Sequence, residues 1–170
     1  NANVGTGKTV TITSSYGGTD VNNYTITDQA STTADLTKRS LVLATFSASD
    51  KVYDGDNTVT TSSSISGYVG SETISHSLTA TFDNKNVGSN KAVTVNSISL
   101  ADGTNGGLAA NYSLSTGQTT TANITPKTLT ATAASTNKTY DGLTTATTTL
   151  TFSGLVGSET LGQTVGSTFD

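Results

Sequence analysis

Blocks of this sequence return at a fixed distance, and any fold proposed for the chain has to account for that. Lys51-Val52-Tyr53-Asp54-Gly55 comes back as Lys138-Thr139-Tyr140-Asp141-Gly142, an offset of 87 residues. Gly67-Tyr68-Val69-Gly70-Ser71-Glu72-Thr73-Ile74 returns as Gly154-Leu155-Val156-Gly157-Ser158-Glu159-Thr160-Leu161 at the same offset, and Thr81-Phe82-Asp83 returns as Thr168-Phe169-Asp170. A second set joins the start to the middle. Asn3-Val4-Gly5-Thr6-Gly7-Lys8-Thr9-Val10-Thr11-Ile12 matches Asn86-Val87-Gly88-Ser89-Asn90-Lys91-Ala92-Val93-Thr94-Val95 at an offset of 83. Asn23-Tyr24-Thr25-Ile26-Thr27 matches Asn111-Tyr112-Ser113-Leu114-Ser115 at 88, so the later copy carries five extra residues. The insertion falls at Asp102-Gly103-Thr104-Asn105-Gly106-Gly107, which is turn chemistry and predicts a loop that accepts length changes.

Self-similarity at a fixed period is the signature of repeat architecture. The expected organisation is the later part of one repeat at 1–38, a complete unit at 39–126 and the earlier part of a third at 127–170. The offsets 83 and 87 together equal the chain length of 170, so the fragment is expected to be two whole repeats cut out of phase. Asn1 without a Met or signal peptide fits an internal piece of a longer periodic polypeptide.

Within each unit, apolar side chains alternate with Thr, Ser or Lys. The pairs are Val10 and Ile12, Tyr24 and Ile26, Leu41 and Leu43, Val93 and Val95, Ile98 and Leu100, Tyr112 and Leu114, Leu129 and Ala131, and Leu150 and Phe152; Leu78, Ala80 and Phe82 form a triplet. A period of two puts the apolar members on one face of a strand, and no stretch holds a helical period. Gly, Asn and Asp clusters separate the runs. The predicted fold class is all-β, with tandem Ig-like β-sandwich repeats of about 87 residues. The crossing between units is placed at Thr125-Pro126-Lys127, where Pro126 has no N–H to give a central ladder. Its earlier counterpart is Thr37-Lys38-Arg39, and a linker this short predicts a stiff rod.

Composition narrows the function. Lys and Arg number 8 against 12 Asp and Glu, and only 12% of residues are charged, so the clustered cations that nucleic acid requires are missing. There is no Cys to make disulfides or thiolate metal sites, and no apolar run of membrane-spanning length. About a fifth of the chain is Thr, which in alternation with apolar residues suits half-buried strands.

On the Tyr53-Asp54-Gly55 and Tyr140-Asp141-Gly142 triplets, the Gly-x-Val-Gly-Ser-Glu-Thr block, the Asn-Val-Gly block and the Ile124-Thr125-Pro126-Lys127 crossing, the chain resembles the YDG-repeat family of bacterial surface adhesins. That family is related to the mostly bacterial Ig-like repeats. Lys38 stands where the later copy has Pro126. The resemblance implies a secreted, cell-surface protein of the kind that mediates adhesion, builds filaments and supports biofilm. It hands over no ligand and no active site.

Several residues could carry chemistry. The Tyr-Asp-Gly block predicts a turn in which Asp accepts backbone N–H bonds and Gly completes the bend. The rival reading is calcium held by Asp50, Asp54 and Asp56. Their counterparts at the 87-residue offset are Asn137, Asp141 and Leu143, which removes two of the three charges. Lys8 and Lys91 recur, as do Glu72 and Glu159. A neutral buried Lys beside an Asn or Asp carbonyl and a helping carboxyl could form an isopeptide cross-link. The structural alternative is turn capping for the Glu residues and solvated edge-strand charges for the Lys residues. His76 is replaced by Gln163 and is expected on an exposed strand position, without the nucleophile and acid a catalytic His needs. Tyr16 and Tyr68 are the loop aromatics best suited to a glycan or protein ligand. Sequons at Asn23, Asn111, Asn123 and Asn137 follow from Thr abundance.

No catalytic, cofactor-binding or metal-ligating residue is therefore assigned, and the chain is expected not to be an enzyme. The expected function is that of a structural and adhesive segment of a long extracellular bacterial surface protein or filament, partnered by its neighbouring repeats and by host or cell-surface glycans or proteins. The alternatives are a dedicated glycan- or protein-binding module, or the subunit of a noncovalent fibre in which one chain completes the partial unit of the next by strand complementation.

Overall fold

A computed structural model describes residues 1–170. The chain is all-β. Its strands are β1 (Gly5–Thr11), β2 (Ser31–Leu36), β3 (Arg39–Ser40), β4 (Val42–Ala48), β5 (Lys51–Val52), β6 (Thr61–Ser66), β7 (Ile74–Phe82), β8 (Gly88–Asp102), β9 (Tyr112–Ser113), β10 (Thr119–Thr125), β11 (Thr130–Ser135) and β12 (Thr148–Ser153). Two single-turn 3-10 helices, Val21–Asn23 and Ala109–Asn111, interrupt them. One sheet has the order β5-β10-β8-β7, and the other strands form the pairs β1-β2, β3-β9, β4-β6 and β11-β12. No helix is long and apolar enough to cross a membrane.

Two compact units share the chain. The first gathers 1–45, 63–79 and 96–117. Its core is Leu41, Ile65, Ile74 and Tyr112, with Leu43, Tyr68, Leu100 and Leu114 packed against them. Arg39 and Ser40 pair in parallel with Tyr112 and Ser113, and the Leu41 N–H continues the ladder to the Ser113 carbonyl at 2.7 Å. The second unit gathers 46–62, 80–95 and 118–170. Its buried apolar residues are Ala80, Phe82, Val93, Val95, Ala122 and Ile124. There β10 runs antiparallel to β8 and, at Ile124 and Thr125, parallel to Lys51 and Val52 of β5.

The alternation read from the sequence has a slip in it. Along β8, Val93 and Val95 point inward, Asn96 and Ser97 are both exposed, and Ile98 and Leu100 resume inward on the opposite parity. With a period of two, one extra residue moves the apolar set to the other face. The two runs read from sequence are thus one continuous strand with a phase shift. The same slip occurs at Ala44 and Thr45, between Leu43 and Phe46 in β4.

The Tyr24 and Ile26 run does not become a strand. It follows the Val21–Asn23 turn as extended, unpaired chain, and both residues are exposed. Its counterpart Tyr112 does enter a strand, because β3 supplies a parallel partner. Strands β2, β6 and β10 are rich in Ser and Thr; β6 has a single apolar residue, whereas Ala122 and Ile124 alternate in β10 and are both buried.

Two ribbons have the same register. In β1-β2, Lys8 faces Ala34, Thr9 faces Thr33, Val10 faces Thr32 and Thr11 faces Ser31. In β8-β10, Lys91 faces Ala122, Ala92 faces Thr121, Val93 faces Thr120 and Thr94 faces Thr119. Each ribbon has an irregularity at the corresponding step, before Gly5↔Leu36 and Gly88↔Ile124 respectively.

Candidate functional site

The Tyr-Asp-Gly turn begins where β5 ends. The Tyr53 N–H reaches the Thr125 carbonyl at 2.9 Å, extending the parallel ladder by one bond. Asp54 Oδ1 then accepts the Asp56 N–H at 3.2 Å, and Gly55 supplies a φ of +89°. That backbone angle suits glycine, since a Cβ would crowd the carbonyl. The Lys51 ammonium sits 2.7 Å from both Asp54 and Asp56 and also donates to the Thr58 carbonyl at 3.0 Å. Burial works against the lysine charge, but the bonds to the two carboxylates outweigh it and hold its pKa above the ordinary value. Asp54 and Asp56 are lowered in turn, first by Lys51. At the second triplet, Lys138 lies 2.7 Å from Asp141, and Asp141 Oδ1 accepts the Leu143 N–H at 3.0 Å.

The structure brings Asp54 and Asp56 together but turns Asp50 away, to the Asn123 N–H at 2.6 Å and its side-chain amide at 2.9 Å. The cation between the carboxylates is the protein's own Lys51, and no group of three or more His, Cys, Asp or Glu residues gathers to hold a metal. Calcium at Asp50, Asp54 and Asp56 is therefore not supported by this geometry.

The Tyr53 hydroxyl donates to Glu159 Oε1. Lys85 Nζ lies 3.4 Å from the same oxygen and 6.0 Å from the Tyr53 ring centre, over its face. The tyrosine bond, then Lys85, holds the Glu159 carboxyl below its usual range, while Glu159 raises Tyr53. A Cβ at Gly55 would lie 2.7 Å from Val156 Cγ1, so the glycine also leaves room for that side chain. Around this contact is a shallow cavity of about 200 Å³ lined by Tyr53, Val87, Pro126, Leu129, Leu155 and Leu161. Tyr53 and Gly55 are thus the seat for the loop around Val156 and Glu159.

In the first unit, the Tyr112 hydroxyl donates to Glu72 Oε2 and accepts the Val69 N–H at 3.1 Å. Glu72 raises the pKa of Tyr112. The Val4 N–H donates to Asn111 Oδ1 at 2.9 Å, tying the start of the chain to the residue before Tyr112. Both recurring glutamates are therefore acceptors for tyrosine hydroxyls. Sequence reasoning missed these pairs, because the partners are 40 and 106 residues apart. The recurrence of Glu72 as Glu159 and of Tyr24 as Tyr112 marked the residues, but not which tyrosine meets which glutamate.

The other candidates are placed as follows. Glu72 and Glu159 are not beside Lys8 or Lys91. Lys91 lies 2.7 Å from Asp83 and 2.8 Å from Asn84 Oδ1, and Lys8 lies 2.7 Å from Asn1 Oδ1. The Lys91 side chain is largely buried rather than solvated, and it holds the Asp83 carboxyl below its usual range. Lys91 is thus held by Asp83 and Asn84, with neither recurring glutamate beside it. His76 lies on β7 but is half-buried on the parity of Ile74 and Leu78, a correction to its expected exposure. Its Nε2 is 2.9 Å from Ser63 Oγ, and Gln163 uses its amide instead on the Leu150 carbonyl at 3.0 Å.

Tyr68 is not a free aromatic platform: it packs on the core and meets Tyr112 edge-on at 6.5 Å. Tyr16 is exposed, with its hydroxyl on Asp28. The loop at 102–107 is closely packed. The Thr73 N–H reaches the Thr104 carbonyl at 3.1 Å, and a Cβ at Gly103 or Gly107 would overlap the Thr73 carbonyl. Among the sequons, Asn23 and Asn137 are exposed, while the Asn111 and Asn123 amides donate to Asn3 and Asp50.

These observations define an all-β protein whose recurring charged and aromatic side chains bind its own segments together. A family profile described as the YDG domain matches residues 37–122, just over half the chain. The chain belongs to the YDG-domain family. No curated protein and no solved structure matches it.

Proposed function

We propose that the chain is a run of tandem YDG repeats, Ig-like in plan, acting as a structural and adhesive segment of a long extracellular bacterial surface protein or filament. The observation that carries the reading is the recurrence of contacts at the sequence offsets. The β1-β2 ribbon repeats the register of β8-β10, and the Thr58↔Thr81 bridge recurs as Thr145↔Thr168. Strand β12 falls 87 residues after β6, and the Val21–Asn23 turn 88 before Ala109–Asn111. The recurring carboxylates are engaged by the protein's own lysines and tyrosines, which favours mechanical work over catalysis. A repeated unit gains reach and multivalency by copying. Its partners are then its neighbouring repeats and, at intervals, surface glycans or proteins.

The test is labelling of intact cells of the source organism with an antibody to residues 39–126. Labelling before lysis supports the reading; labelling only after lysis rejects it. A second reading, a glycan-binding module, draws on Tyr16 and Tyr24, which flank an open depression of about 370 Å³ with Gly17, Gly18 and Val21. A glycan array with the purified chain separates the two, because a spacer leaves it blank.

A further inference from the structure

Between β7 and β8 the chain turns through Asp83-Asn84-Lys85-Asn86-Val87, and the Lys91 side chain folds back from β8 onto that turn. Gly88 leaves its path open, since a Cβ there would lie 3.3 Å from Lys91 Cγ and Cδ. The side chain is only 9% exposed, and its Nζ ends 2.8 Å from Asn84 Oδ1, an atom bonded directly to the amide carbon.

Three further contacts surround that amide. Asp83 Oδ1 lies 2.7 Å from Lys91 Nζ, and Asp83 Oδ2 accepts from Asn84 Nδ2 at 3.2 Å. The Asn86 N–H donates to Asn84 Oδ1 at 3.0 Å. One carboxylate therefore touches both the amine and the amide nitrogen, while a backbone N–H is aimed at the carbonyl oxygen. Acyl transfer requires these parts: a nucleophile, a proton carrier shared with the leaving group, and a donor for the oxyanion. Much of the arrangement recurs. Lys8 Nζ lies 2.7 Å from Asn1 Oδ1, which also accepts the Asn3 N–H at 3.3 Å, and a Cβ at Gly5 would touch the Lys8 stem at 3.5 Å.

We infer that Lys91 forms an intramolecular amide bond with Asn84, with Asp83 carrying the protons. Asp83 Oδ1 takes a proton from Lys91 and frees the nitrogen lone pair. Nζ then adds to Asn84 Cγ, and the carbonyl electrons move onto Oδ1, where the Asn86 N–H holds the charge. Asp83 Oδ2 hands its proton to Nδ2, the Cγ–Nδ2 bond breaks as the carbonyl re-forms, and Asp83 removes a second proton from Nζ. Ammonia takes that proton and leaves as ammonium, so Asp83 ends as the carboxylate it was and no other reactant is needed. The geometry described is that of the unlinked side chains. Because the bond forms once and is not undone, the amine needs to reach its free-base form only rarely. The link closes a ring from 84 to 91 beside the buried Phe82 and Val93, a covalent clasp in a chain without cysteine.

Tryptic digestion and mass spectrometry of the 170-residue chain, folded and incubated before it is unfolded for the digest, test this. The wild-type chain should give 52–85 and 86–127 joined as one branched peptide, uncut after Lys91 and one ammonia short of the two sequences. Release of 52–85 and 86–91 as separate peptides of full mass overturns the inference. So does an ammonia loss confined to 52–85, which is Asn84 closing on its own backbone as a succinimide. Lys91→Arg keeps a cation beside Asp83 and should abolish the branched peptide. Asp83→Ala should slow its appearance after refolding roughly a hundredfold or more. An unchanged rate rejects Asp83 as the proton carrier. Amide-exchange protection at Phe82 and Val93, unchanged in both variants, confirms that the repeat stays folded. The bond does not depend on where the protein is displayed, so this result and the surface-labelling result stand or fall separately.

Discussion

The ribbons β1-β2 and β8-β10 have nearly the same sequence pattern and the same register, yet Val10 lies open where Val93 is sealed. Alternation and cross-strand pairing are local properties, and both ribbons have them. Burial is not local: β8 gains it from β7 on its second edge and from residues far away in sequence. An isolated two-stranded ribbon is marginal in water, and what turns one into a core is the face laid over it.

Substitutions at paired positions should magnify that difference. Phe82→Ala should cost about 3–5 kcal/mol, while Phe169→Ala should shift the main urea transition by less than about 0.5 kcal/mol. Equal effects would mean that the open half shares in the global core. Next comes the glycine pair. Gly55→Ala meets both a φ of +89° and Val156, whereas Gly142→Ala meets a φ of +77° and open space. The first should lower stability by roughly 2 kcal/mol in thermal unfolding and the second by about 1 kcal/mol at most.

The smallest effect is that of acid. Asp54, Asp56, Asp83 and Glu159 all have carboxyls below their ordinary values of 3.8 for Asp and 4.5 for Glu. Their stabilisation is complete above those values and is lost as pH falls through the depressed ones, because the unfolded chain takes up protons first. Asp56→Asn leaves Lys51 with one carboxylate, as Lys138 has, and should flatten that acid dependence in urea titrations between pH 5 and 2. An unchanged slope would show that the second carboxylate contributes nothing.

The legible part of this molecule was what alternation and recurrence encode. Leu78, Ala80 and Phe82 mark β7, and the Tyr-Asp-Gly blocks mark equivalent turns. Strand β6 was invisible because Thr61-Ser62-Ser63-Ser64-Ile65-Ser66 has a single apolar residue, and its identity comes from pairing with β4. Tyr68 does lie in a loop, as expected, but nothing local signals that it packs on the core with Tyr112 against its edge. Asp50, Asp54 and Asp56 offered calcium only as the rival to a structural turn, and Lys51, placed among them in sequence, supplies the positive charge to Asp54 and Asp56 itself.

The parallel β5-β10 pair has a mechanical corollary. The chain enters β5 at Lys51 and leaves β10 at Thr125, so tension applied through those two points pulls neighbouring strands lengthwise in opposite directions. Hydrogen bonds loaded that way share the load instead of unzipping in turn, which makes this short ladder a shear clamp.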